Sequence, residues 1–197
     1  MRILVLNWRD LTHPKAGGAE VFTDRIVRSW ARQGHAVTWF CAAVDDQPAE
    51  STDAGVRMVR RGSRLTVYRE ARQFYESEKA GRFDLVIDGV NTRPFLSPRW
   101  VRDAPVAALI HQVCREIWWH EAPLPAAILG RFWLERRWLS AYADVPVVTP
   151  SASSRASLID YGLRDVTVIP PGIDVQPRPA GVRETRPTVA FVGRLSS

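Results

Sequence analysis

Two adjacent glycines, Gly17-Gly18, stand before Ala19-Glu20 and open a segment, Glu20 to Gln33, with helical periodicity. Glycine lets the backbone take φ > 0 or approach another body without a Cβ clash. The first helical N–H groups are open at the positive end of the helix dipole, so an anion is a suitable guest, above all a phosphate or diphosphate. The plainer alternative is a tight turn that starts a helix, since a Gly pair alone is a weak signal and the spacing differs from the dinucleotide fingerprint. Glu20 could meet a ligand or simply favour the helix dipole. His111 closes an apolar run, Val106 to Ile110, where an imidazole could hydrogen-bond a ligand or be satisfied in the core. Asn91 could bind a ligand or cap a turn. Glu116 and His120 lie four apart, too few groups for a metal site. Trp118-Trp119 could stack on a sugar or anchor packing.

Those residues need elements to hold them. The run to Leu6 reads as a strand buried on both faces. Val21, Ile26 (with Phe22 beside it), Trp30 and Gln33 give the first helix its stripe, and Gly34 stops it in αL. Further strands are expected at Ala36 to Ala43, Val56 to Val59, Asp84 to Asp88, Val106 to Ile110, Val145 to Val148 and Val166 to Ile169. Helices are expected at Thr66 to Lys79, Ala126 to Tyr142, and Ser151 to Tyr161 with Ser at or near the N-cap. Asp45 to Asp53 reads as a polar loop, and 112–125 as irregular and aromatic. Strands alternating with helices argue an α/β fold, a doubly wound and mostly parallel Rossmann-like sheet. Ligands gather at the carboxyl ends of such strands. The loops that matter are then Asn7 to Gly18, Gly89 to Pro98, His111 to Glu121 and Pro150 to Ser154.

Composition narrows the partners. The chain has 197 residues, 46% hydrophobic, with net charge +6; of its 27 basic residues only Lys15 and Lys79 are lysines. This surface suits anions, but there is no aromatic-basic RNA signature and no zinc-finger spacing, so nucleic acid is not expected. Cys41 and Cys114 read as buried thiols of a reducing compartment, which places the protein in the cytoplasm. No apolar run is long enough to span a membrane. The run Arg131 to Leu139 mixes bulky apolar and basic residues; it suits either a core-facing helix with a basic rim or contact with the inner membrane face.

Together these stretches resemble the retaining glycosyltransferases of family 4, which have the GT-B fold. The features in question are the Gly-Gly-Ala-Glu start, the strand ending in His111, Val-Val-Thr-Pro-Ser at 147–151, Ile-Pro-Pro-Gly-Ile-Asp at 169–174, and Phe191-Val-Gly-Arg194. The segment Asp84-Leu-Val-Ile-Asp-Gly-Val-Asn-Thr-Arg-Pro-Phe95 looks like one bacterial and archaeal branch.

The resemblance implies transfer of a sugar from a nucleotide-sugar donor to a sugar, lipid-linked or small-molecule acceptor, with configuration retained. Residues 1–174 would be the N-terminal, acceptor-side half of a GT-B fold, 175–187 a linker, and 188–197 the first strand of a donor-binding domain. Gly17, Gly18 and Glu20 would face the donor, with His111 at the reacting sugar. Arg194 would belong to the basic pair on the leaving diphosphate. Asn7, Asp10, Asn91 and Arg93 would face the acceptor. No cofactor or metal is expected, and no Asp-x-Asp motif is visible. The companion lysine of Arg194 and the family's Glu-x7-Glu element do not occur in these 197 residues, so the chain alone is expected to be inactive. Two other readings stay open: a non-catalytic glycan- or anion-binding domain, and a nucleotide-sugar epimerase of the same architecture.

Overall fold

The computed structural model describes residues 1–78, 83–91, 93–113, 133–172 and 189. The expected linker, the final strand apart from Val189, residues 126–132 of the expected long helix, Arg194, Cys114, Glu116, Trp118-Trp119 and His120 lie outside these residues. Among the described residues one sheet runs β3-β4-β2-β1-β5-β6-β7-β8. Its strands are β1 (Arg2–Leu6), β2 (Ala36–Cys41), β3 (Glu50–Asp53), β4 (Val56–Arg60), β5 (Leu85–Val90), β6 (Val106–Ile110), β7 (Val147–Thr149) and β8 (Val166–Val168). All neighbours pair in parallel except β3 and β4. The order reverses at β1, which lies between β2 and β5. The fold is thus the expected α/β, doubly wound and mostly parallel Rossmann-like sheet.

The helices α1 (Gly18–Arg32), α2 (Val67–Ser77), α3 (Glu135–Leu139) and α4 (Ala152–Asp160) lie in the connections. Alternation along β1 divides the core. Ile3 and Val5 pack with Val27, Val37 and Trp39 on the α1 face. Leu4 and Leu6 pack with Phe40, Val67, Ala71 and Phe74 on the α2 face. Ser151 caps α4 through a bond from Ser154 N–H to its Oγ (3.1 Å), as the sequence suggested. Gly34 follows α1 with φ +85°, the left-handed stop. Cys41 is a buried free thiol.

Three expectations are corrected. Residues 50–53 are not loop but strand β3, an edge hairpin with β4. Its turn, Ala54-Gly55, has φ of +46° and +82°, the pair of left-handed residues that a type I′ turn demands. The strand expected to end at Asp88 runs on to Val90, with Gly89 opposite Leu109. The buried face of α1 is Glu20, Thr23 and Val27, whereas Val21 is 43% exposed. Thr23 can sit inside because its hydroxyl donates to Ala19 O at 3.0 Å.

In α3, Glu135 and Leu139 are buried while Trp133 just before it is exposed, with Arg137 over its ring at 5.2 Å. That is the core-facing arrangement with a basic rim. Among the described residues, no helix is long and apolar enough to cross a membrane.

Candidate functional site

The carboxyl ends of β1, β5 and β6 meet around one buried carboxylate. Glu20, on the first turn of α1, has 0% relative exposure. Its Oε2 accepts the Gly17 N–H at 2.7 Å, and its Oε1 accepts from Asn91 Nδ2 at 2.9 Å and Arg9 Nε at 3.2 Å. Arg9 also donates through Nη1 to Lys15 O at 2.6 Å, so the loop after β1 is pinned at both ends. Asn91 bridges to β1 as well, donating through Nδ2 to Asn7 Oδ1 at 3.0 Å.

Close packing under this network depends on Gly89. A Cβ there would lie 2.7 Å from Leu6 O and 3.4 Å from the Asn7 Cβ. Any larger residue would push the β5 end away from the β1 end. Asn7 is 1% exposed, its N–H donates to Phe40 O, and its Nδ2 has no partner among the described residues.

Gly17 is extended, at φ −146°, and Gly18 is the first residue of α1. Neither uses the left-handed freedom that a glycine pair allows. Gly17 spends its N–H on Glu20. A Cβ built on Gly18 meets nothing within 4 Å, so the helix start lies open on that side.

His111 follows β6. Its carbonyl accepts from Ser154 Oγ at 2.9 Å, tying it to α4, and its ring stands edge-on to Phe22 of α1 with centroids 5.5 Å apart. Its Nε2 is buried and unbonded among the described residues. Burial pushes its pKa below the ordinary 6.5, and the Glu20 carboxylate opposes that shift. His111 is therefore a neutral imidazole near pH 7, on the same edge of the sheet as Gly18.

Asp10 lies beneath the loop at 1% exposure. Its Oδ2 accepts from Arg60 Nε at 2.7 Å, and its Oδ1 accepts from Thr12 N at 2.9 Å and Thr12 Oγ1 at 2.6 Å. The loop from Asn7 to Gly18 is held from below by this buried pair. Arg93, by contrast, is exposed, with its guanidinium 4.2 Å over the Tyr68 ring.

Sequence patterns did not single out Asp88, Arg9, Tyr68 or Arg64. Asp88, fully buried in β5, accepts from Ser97 N (3.0 Å), Ser97 Oγ (2.7 Å), Phe95 N (3.3 Å) and the Tyr142 hydroxyl. Burial raises its pKa and these donors lower it. It fixes the course of the loop that carries Asn91 and Arg93. The available signal was a carboxylate inside an apolar strand, which needs donors to be buried at all. Among the described residues, no three His, Cys, Asp or Glu side chains converge as a metal site requires.

A doubly wound, mostly parallel sheet with a glycine-opened helix at its carboxyl edge defines the Rossmann-like class of α/β domain, which takes its ligands at that edge. Within that class the sequence is specific: the profile of Glycosyltransferase Family 4 matches residues 16–177, and the chain belongs to that family. Among solved structures it is similar to sucrose-phosphate synthase from Thermosynechococcus elongatus. The TM-score is 0.64 at 14% identity, covering 86% of this chain and 47% of that one. It is also similar to α,α-trehalose 6-phosphate synthase from Burkholderia multivorans, at TM-score 0.43 and 15% identity over 81% of this chain and 41% of that one. This chain thus spans about half the length of these structures. A comparison with curated proteins found no match.

Proposed function

We propose that the chain is the acceptor-side wall of a retaining glycosyltransferase that takes a sugar from a nucleotide-sugar donor. The observation that carries this reading, beside family membership, is the Glu20 network. One buried carboxylate ties the glycine turn to Asn91 just after β5 and acts electrostatically on His111 after β6. The loops after β1 and β5 are thereby held in one arrangement before any ligand arrives, and His111 is held beside them by Ser154 and Phe22.

Glycosyl transfer builds positive charge on the anomeric carbon and negative charge on the leaving phosphate. Fixed donors aimed at that phosphate lower the barrier. On this wall the first N–H groups of α1 beyond Gly17 serve the diphosphate, because they have no intrahelical partners. Neutral His111 hydrogen-bonds a hydroxyl of the donor sugar. Asn91 and Arg93 line the acceptor side, with Asn7 and Asp10 shaping it from behind. In this reading Glu20 supports the donor site from within rather than touching the donor.

Residues 1–174 form this wall, 175–187 the linker, and 188–197 the start of the opposite wall, where Arg194 joins the leaving-group site. The transfer takes place in the cytoplasm, the basic rim of α3 permitting contact with the inner membrane face.

The test is to incubate the protein expressed from its whole reading frame with UDP-, GDP- and ADP-sugars and an acceptor panel, and to assign product configuration by NMR. Transfer with the donor's anomeric configuration is expected, with none from the 197-residue chain alone. Inverted product would refute retention. Steady turnover by the 197-residue chain would refute the two-wall reading.

A further inference from the structure

The loops after β1, β4 and β5 bring three guanidiniums to two aromatic rings on the α2 side of the same edge. Arg9 Cζ lies 4.3 Å from the Trp8 ring centroid, Arg64 Cζ 5.9 Å from the same ring, and Arg93 Cζ 4.2 Å from the Tyr68 ring. Trp8 and Tyr68 are half-buried, whereas Arg64 and Arg93 are exposed. The rings are themselves fixed: Tyr68 packs on Phe95 at 5.0 Å and Trp8 on His13 at 5.2 Å.

The neighbouring carboxylates are already committed. Glu20 serves Gly17, Asn91 and Arg9; Asp10 serves Arg60 and Thr12; Asp88 serves Ser97, Phe95 and Tyr142. Among the described residues neither Arg64 nor Arg93 makes an ion pair or hydrogen bond, and the Tyr68 hydroxyl is unbonded. Burial carries the pKa of that hydroxyl up to about 12 and Asp88 adds to the rise, while Arg93, Arg64 and Arg9 pull it down. Arg9 is paired with Glu20, so the site gathers the unneutralised charge of Arg64 and Arg93 around one hydroxyl donor that stays protonated.

Mutual repulsion would spread such arginines apart if they were ordinary surface groups. Each cation–π contact offsets that by only about 0.5–1 kcal/mol at an exposed site. Guanidinium forks match the oxygens of a phosphate, and an aromatic face next to them suits a sugar or polyol ring.

We propose that Trp8, Arg64, Tyr68 and Arg93 form the subsite for a phosphate carried on the acceptor's sugar or polyol ring. This rests on the acceptor-wall reading above, and it adds the acceptor's chemical class. The phosphate lies between the Arg64 and Arg93 forks and the Tyr68 hydroxyl, and the ring lies toward Asn91 and the Glu20 network.

The test is calorimetric titration of the chain with glucose 6-phosphate and with glucose. It is repeated on Arg64→Gln, Arg93→Gln and, as a control away from the mouth, Arg102→Gln. A second arm is co-sedimentation with phosphatidylcholine vesicles, with and without phosphatidylglycerol, which separates a soluble phosphate from one on a lipid headgroup. Preference for the phosphorylated or anionic probe in either arm is expected. Arg64→Gln and Arg93→Gln should each weaken it about tenfold, the scale of one charge-assisted hydrogen bond, while Arg102→Gln leaves it unchanged. Equal affinity for glucose and glucose 6-phosphate together with equal binding to both vesicle types would overturn the proposal. So would equal losses in all three variants. Phosphate binding at this mouth in a protein that transfers no sugar would sink the transferase reading and leave the subsite standing. Transfer to neutral acceptors that is indifferent to Arg64 and Arg93 would do the reverse.

Discussion

Asn91 and Glu20, 71 positions apart in the chain, are joined by a 2.9 Å hydrogen bond that locks the end of β5 to the start of α1. Glu20 is buried and accepts only from donors: Asn91 Nδ2, Arg9 Nε and Gly17 N–H. In Glu20→Gln, one side of the amide must turn an N–H toward another donor. We expect a loss of about 2–4 kcal/mol of stability, since removing one member of a buried charged pair strands the other. Urea unfolding with an unchanged slope measures it. A loss within experimental error would mean that the network does not hold the loops.

The glycines of the site are not equivalent. Gly89→Ala would put a Cβ 2.7 Å from the carbonyl of Leu6, a backbone atom that cannot swing away. Overpacking of this kind costs about 1–3 kcal/mol. A Cβ on Gly18 meets nothing within 4 Å, so Gly18→Ala should leave stability unchanged or slightly raised. A thermal melt of each variant decides it, and equal Tm values for the two would contradict the packing assigned to Gly89.

Tyr142 serves two groups at once. Its hydroxyl donates to Asp88 and accepts from Leu96 N–H at 3.0 Å, and Leu96 holds φ +56°, a left-handed conformation uncommon for leucine. Tyr142→Phe leaves that N–H unserved and removes one donor from a buried carboxylate. A loss of about 1–3 kcal/mol is expected by denaturant titration. An unchanged midpoint would show that Ser97 and Phe95 suffice.

His111 makes stability depend on pH in one direction. Its folded pKa lies below the ordinary 6.5 because it is buried. Well above 6.5 both folded and unfolded forms are neutral, and the group contributes no slope. As pH falls below 6.5 the unfolded chain takes up the proton first, so stability falls with pH. The Tm of the wild-type chain should therefore drop more steeply below pH 6.5 than that of His111→Asn. Parallel curves would place the imidazole in water.

The sheet was legible because its strands are buried runs with period-matched helices between them, and Gly34 and Ser151 supplied caps that the structure keeps. The edge strand β3 was not, because Glu-Ser-Thr-Asp is polar on both faces and only the Ala54-Gly55 turn marks it. Site residues on loops were legible by position, at strand carboxyl ends, but not by partner. That Glu20 turns inward depends on Arg9 and Asn91 arriving from other elements, which no local pattern encodes. The cluster of Arg64, Tyr68 and Arg93 likewise exists only after β4, β2, β1 and β5 are laid side by side in the sheet.

The most direct test of the central claim is the transfer rate of the protein expressed from its whole reading frame, wild type against His111→Ala, with a saturating nucleotide sugar and acceptor. The account predicts measurable transfer by the wild type. It predicts a fall of about 10- to 1000-fold in kcat for the variant at unchanged Tm, the effect of removing one polar interaction with the transition state. No transfer from any nucleotide sugar by the wild type, or equal rates for the two proteins, would contradict it.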